Sequence, residues 1–109
     1  GNTGSWEDVG AIYKVSPPRV NASYPPGEWQ TLDVEYHPAE FNLGGTLVAF
    51  PMITVYLNGV MVQKDQPLTS PTSHGWKGRQ AEPEYVTGPV WLQDHGHQIS
   101  FRNIWIQKL

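Results

Sequence analysis

The sequence has no cysteine, which excludes a disulfide framework, a thiolate nucleophile and a cysteine-type zinc site. It is also poor in charge: 16% of its 109 residues are Asp, Glu, Lys or Arg, against about a quarter in an ordinary domain. The net charge is −3 with no basic cluster, so the electrostatic footprint of a nucleic-acid binder is missing and no nucleic-acid partner is expected. No apolar run approaches the ~18 residues of a membrane span. The opening GNTGSWEDVG lacks the charged and apolar regions of a signal peptide. There is likewise no glycine-rich phosphate loop, nucleophile elbow or His-Glu-x-x-His helix.

Glycine, proline and aromatic residues are abundant instead. Eleven glycines and ten prolines are spread through the chain. Breakers that dense leave no room for long helices, because each proline removes a backbone donor and collides with the preceding turn. Five Trp, five Tyr and three Phe can build a small core from few side chains, since each buries on the order of 150–250 Å². Composition therefore excludes an all-helical protein, a coiled coil and a disordered tail, and the length suits one small domain.

Where a pattern is visible, its period is two. In Trp29–Tyr36, Leu32, Val34 and Tyr36 alternate with Thr31, Asp33 and Glu35, which predicts a strand with one buried face. Gly10–Val15 suits a short strand, leading into a loop rich in proline that ends near Gly27. Asn58-Gly59 lies between Ile53–Leu57 and Val60–Gln63, and Asn-Gly is the preferred pair for a type I′ hairpin turn. In the expected register Leu57 faces Val60, Tyr56 faces Met61, Val55 faces Val62 and Thr54 faces Gln63. Ile53, Val55, Leu57, Val60 and Val62 then share the core face, and Thr54, Tyr56, Met61 and Gln63 the polar one. Gln66–Thr87 has no period and is expected to be a long loop, a kind that is usually functional or mobile. Pro89–Gln93 and Gln98–Gln107 are expected strands. In the second, Ile99 and Phe101 are out of phase with Ile104 and Ile106, which suggests a β-bulge at Arg102-Asn103 or burial on both faces. Strands at this spacing mean a sandwich or barrel.

Polar side chains concentrate in Gln93-Asp94-His95-Gly96-His97. Two imidazoles and a carboxylate in so short a stretch suit a divalent metal or an acid–base pair near neutral pH. They equally suit a polar turn whose Asp caps its own backbone. Arg102, within an apolar strand, is either a paired structural arginine or a fork for substrate oxygens. His74, Trp76, Lys77 and Arg79 suit an aromatic and cationic rim over a sugar, or a solvated loop with one Trp beneath it. Tyr13, Tyr56 and Gln63 occupy polar-face positions where an open sheet can receive a ligand. Asn21-Ala22-Ser23 matches a glycosylation sequon, a pattern common by chance.

Four stretches carry a resemblance: GAIYKVSPPRVNASYPPGEWQTLDVEYH, ITVYLNGVMVQ, GPVWLQDHGHQISFRNIWI and the closing QKL. Together they resemble the 3-keto-disaccharide hydrolase domain family of bacteria, from about Gly10 to Leu109, with Gln66–Thr87 poorly matched. The resemblance implies an all-β, antiparallel jelly-roll sandwich of the concanavalin-like lectin/glucanase type. It implies a carbohydrate ligand, an exported (periplasmic or extracellular) location, and hydrolysis or β-elimination of glycosides oxidised at C3. Gln93, Asp94 and His95 match the family's Gln-Asp-His-Gly, Arg102 and Asn103 its Arg-Asn-Ile-Trp. On that basis His95 is the expected base or metal ligand, Asp94 its orienting carboxylate or a second ligand, and Arg102 the clamp on substrate or enolate. Gln93, Tyr13, Tyr56, Gln63 and Trp76 are the expected substrate contacts, and a divalent cation is the expected cofactor, if any. His97 and Ile99 depart from the pattern, where Asn and a basic residue are usual. Family domains are longer, and the first residues here match mid-domain sequence. Residues 1–109 are thus expected to form a partial domain lacking its N-terminal strands, completed by another chain or an upstream segment. A noncatalytic carbohydrate-binding or structural assembly module is the alternative that this length keeps open.

Overall fold

The structure is a computed structural model that describes residues 4–5, 8–12, 15–69, 90–93 and 96–109. Five strands occur among these residues: β1 Leu32–His37, β2 Glu40–Phe41, β3 Leu47–Ala49, β4 Met52–Leu57 and β5 Val60–Pro67. They form an antiparallel three-stranded sheet in the order β1-β4-β5 and an antiparallel pair β2-β3. No helix is present among the described residues, hence none long and apolar enough to cross a membrane. The density of proline and glycine has the consequence expected of it.

The β4–β5 hairpin turns on Asn58 (φ 53°) and Gly59 (φ 79°), the two consecutive positive φ angles of a type I′ turn. Leu57 pairs with Val60 and Tyr56 with Met61, as the alternation predicts. Beyond that point the register slips. Val55 pairs with Gln63 rather than Val62, and Ile53 with Gln66. A bulge places two β5 residues opposite one β4 residue and re-aims the side chains beyond it. A second irregularity contains Asp65, at φ 44°, where its backbone N–H donates to Thr54 Oγ1 at 2.9 Å. The expected pairs Val55–Val62 and Thr54–Gln63 are therefore corrected. Paired residues share a face, so Gln63 lies on the side of Val55, not with Tyr56 and Met61.

That side is the core. Val55, Leu57 and Val62 are buried, with Val20, Ala22 and Ile53 packed against them. Full burial of side chains this size contributes about 1.5–3 kcal/mol each. The cover is irregular chain, not a second sheet. Pro18 is fully buried, and Arg19 N–H donates to the carbonyl of bulged Val62 at 2.9 Å. Gly10 sits at φ 90° so close to Val62 that a Cβ there would lie 2.9 Å from Val62 Cγ2. Of the strand expected over Gly10–Val15, Tyr13 and Lys14 lie outside the described residues, and the rest is no strand: Ile12 and Ser16 exchange backbone hydrogen bonds at 2.8 and 2.9 Å as an isolated bridge.

β1 forms where the alternation places it, but its apolar face is open. Leu32 is 58% exposed, Val34 48% and Tyr36 47%. The covering segment spans β4 and β5 and does not reach β1, an edge strand with β4 as its ladder partner among the described residues. Asp33 and Glu35 on the opposite face are charges of the kind that keep an open edge from pairing indiscriminately. The β2–β3 turn has no period-two signal in sequence. Asn42 organises it, its Oδ1 accepting from the N–H groups of Gly44 (3.0 Å) and Thr46 (2.9 Å).

The C-terminal stretch departs most from expectation. Val90–Gln93 and Gln98–Gln107 form no strand, and Ile99, Phe101, Ile104, Trp105 and Ile106 are all exposed. A strand is defined by its pairing, and no neighbour offers these backbone groups a ladder among the described residues. The phase change at Arg102-Asn103 is thus neither a β-bulge nor burial on both faces, and Asn103 adopts φ 53° in an exposed stretch that forms no strand. The Cα radius of gyration, 15.1 Å, exceeds the roughly 13 Å of a compact domain this long.

Candidate functional site

Asp94, His95, Tyr13 and Trp76, all expected site residues, lie outside the described residues, as do His74, Lys77 and Arg79. Four others are placed. Gln93 and Arg102 are exposed on the C-terminal stretch, Tyr56 is half-buried on β4, and Gln63 is buried on β5.

Gln63 is not open to a ligand. Only 2% exposed, its Oε1 accepts from Ser16 Oγ at 3.0 Å. Its Nε2 donates towards the carbonyls of Gly10 (3.1 Å), Ser16 (3.2 Å) and Pro17 (3.0 Å). The bulge turns this amide into the core, where it fastens the covering segment to the sheet. The expectation that it lines a ligand-receiving face is thus corrected. Tyr56 stays on the opposite, polar face, paired with Asp33 on one side and Met61 on the other.

Arg102 is brought to Trp29. Its guanidinium carbon lies over the indole, 3.9 Å from the ring centroid. That is well inside the ~6 Å range of a cation–π contact. Trp29 stands where the turn at Pro25–Glu28 gives way to β1, and the residues after it are tied to the hairpin. Gln30 Oε1 accepts from Tyr24 N–H (2.7 Å) and Asn58 Nδ2 (3.1 Å). Thr31 N–H donates to Asn58 Oδ1 at 3.0 Å, Asn58 N–H to the Thr31 carbonyl at 2.9 Å, and Asn58 Nδ2 to the Ala22 carbonyl at 2.8 Å. The hairpin turn, read from sequence as a turn alone, is also the hub that fixes the platform beneath Arg102. Sequence spacing gives no hint of the Trp29–Arg102 pair, because the two residues are far apart along the chain.

An exposed guanidinium on an aromatic face can meet a carboxylate, an enolate or vicinal hydroxyls with its in-plane donors. Among the described residues, no group of three or more His, Asp or Glu side chains is placed to hold a metal ion. The two expected ligands, Asp94 and His95, are outside them.

The fold is thus all-β and antiparallel, with an arginine–tryptophan pair as the described part of the candidate site. The sequence pattern of the 3-keto-alpha-glucoside-1,2-lyase-like domain matches residues 1–107, and the chain belongs to that family. It is similar to a solved protein from Parabacteroides distasonis ATCC 8503, assigned to the glycosyl hydrolases by inference. The two share 36% identity with a TM-score of 0.56, over 67% of this chain and 30% of that one. The match thus spans under a third of the solved relative's length. No curated protein matches the chain.

Proposed function

We propose that the chain is part of a carbohydrate-active domain that cleaves glycosides oxidised at C3 of the sugar, by β-elimination or net hydrolysis. The family match over residues 1–107 carries this reading. A C3 ketone acidifies the proton on C2. His95, oriented by Asp94, takes that proton. The C2 electron pair becomes the C1–C2 double bond as the C1–oxygen bond breaks, and the aglycone leaves with a proton as an alcohol. Addition of water to C1 of the resulting enone completes net hydrolysis. Negative charge develops on the C3 oxygen during proton removal, and Arg102 is the group that meets it. Gln93, Tyr56, Tyr13 and Trp76 contact the sugar, within a jelly roll of which residues 1–109 supply part. A divalent cation on Asp94 and His95, and an exported location, belong to the same proposal. The test is turnover of a 3-keto glucoside by the chain and by its His95→Ala variant. Turnover abolished by the substitution supports the reading, and equal turnover overturns it. Loss on dialysis against EDTA, restored by a divalent cation, tests the metal.

A second reading, a noncatalytic assembly or sugar-binding module, is favoured by one observation: the apolar residues of β1 and of residues 99–109 lie open. Sugar binding without turnover, or assembly through those surfaces, supports it.

A further inference from the structure

Trp29 has no role in the proposed reaction, yet it is the contact that locates Arg102, with the guanidinium carbon 3.9 Å from its ring centroid. An exposed arginine on an irregular stretch otherwise samples many rotamers. Stacking on a ring restricts that freedom while leaving the five N–H donors in the guanidinium plane. The chain that carries the ring is itself anchored, since Gln30 and Thr31, directly after Trp29, are bonded to the Asn58 turn. The chain of support runs from a rigid hairpin through Gln30 and Thr31 to Trp29, then to the charge.

We infer that Trp29 is a positioning residue for Arg102. It holds the guanidinium so that its donor edge meets the oxygen that becomes anionic when a 3-keto sugar is enolised. This rests on the role given to Arg102 in the proposed function. A lysine at 102 carries the charge but has no planar fork to stack and present. An aliphatic residue at 29 leaves the charge in place and removes the support.

The experiment uses the full chain with Trp29→Phe, Trp29→Leu, Arg102→Lys, Arg102→Ala and the double variant Trp29→Leu/Arg102→Ala. Two readouts are taken: the Arg102 Nε–Hε resonance by NMR, and kcat and KM on 4-nitrophenyl 3-keto-glucoside. Trp29→Leu is expected to remove the ring-current displacement of the resonance and to lower kcat about a hundredfold, as loss of a transition-state donor does. Arg102→Lys and Arg102→Ala are expected to match it, and the double variant to be no worse than Arg102→Ala. Trp29→Phe keeps a ring and is expected to stay within about tenfold of the unsubstituted chain, a smaller loss than removing the donor outright. Should Trp29→Leu prevent folding, Trp29→Phe carries the test, with the resonance only partly displaced and kcat between the two extremes. Full kcat in a folded Trp29→Leu beside an impaired Arg102→Ala overturns the inference and leaves the proposed function standing. Full kcat in Arg102→Ala, or no turnover by the unsubstituted chain, overturns the role of Arg102 and this inference with it.

Discussion

Gln63 donates its side-chain amide to the carbonyl of Gly10 at 3.1 Å, across fifty-three positions of sequence. With its bonds to Ser16 and Pro17, this ties an irregular N-terminal segment over the bulged strand β5. Three backbone carbonyls and one hydroxyl converge on a single buried amide. Gln63→Ala takes the side-chain donor from the Gly10 carbonyl and the amide acceptor from the Ser16 hydroxyl, and opens a cavity, so unfolding in urea should show a loss of about 2–4 kcal/mol. Gln63→Glu should be worse, because a carboxylate turns its oxygens towards the same carbonyls. A loss below ~0.5 kcal/mol for Gln63→Ala would mean that the segment is held by something else.

Gly10 combines a positive φ with the close approach to Val62. Gly10→Ala is therefore expected to cost about 1–3 kcal/mol, from the left-handed backbone and the displaced Val62 methyl together. Gly59→Ala tests the two contributions apart. Gly59 shares the positive φ but has open space where a Cβ would go, so its loss should be the smaller, near 1 kcal/mol. Thermal unfolding of the two variants side by side gives the comparison, and equal losses would show that contact with Val62 adds nothing.

Asn58 holds a positive φ and bonds to Ala22, Gln30 and Thr31 at once. Glycine in its place keeps the backbone and drops the side-chain bonds, while alanine loses both. Stability should fall in the order Asn, Gly, Ala, with about 1 kcal/mol between the last two. Because Trp29 stands beside this network, Asn58→Gly should also broaden the Arg102 Nε–Hε resonance. A sharp, unmoved resonance would separate the turn from the platform.

Val34 and Val62 are both valines on the apolar side of the same sheet, but only Val62 is covered. Val34→Thr should change stability by no more than ~0.5 kcal/mol, whereas Val62→Ala should cost about 2 kcal/mol or more. Chemical denaturation of the two variants checks this contrast. A large loss at Val34 would show that β1 is covered in solution.

The apolar residues open on β1 and on residues 99–109 should make the chain associate with itself as concentration rises. Sedimentation velocity over a hundredfold range of concentration measures it, and Ile104→Ser with Ile106→Ser should reduce it. A monomer throughout would count against the assembly reading and leave the carbohydrate-active one untouched.

Local chemistry was legible in the sequence. Asn58-Gly59 alone specifies a type I′ turn, because few residue pairs tolerate two positive φ angles. The alternation of Leu32, Val34 and Tyr36 places β1, and the proline and glycine density excludes helices. The family, too, could be read from short motifs in order, and its match covers residues 1–107. Tertiary structure decided what each strand faces. Period two says that alternate residues share a face, yet a single bulged residue reverses the pattern beyond it, and so Gln63 is a buried fastener and not a ligand contact. Whether Leu32 or Ile104 is buried depends on which segment lies across it, and strand pairing at Gln98–Gln107 depends on a neighbour's backbone groups. Neither is a property of the strand's own residues. The meeting of Trp29 with Arg102 is of the same kind. It joins distant parts of the chain through packing, for which local spacing carries no signal.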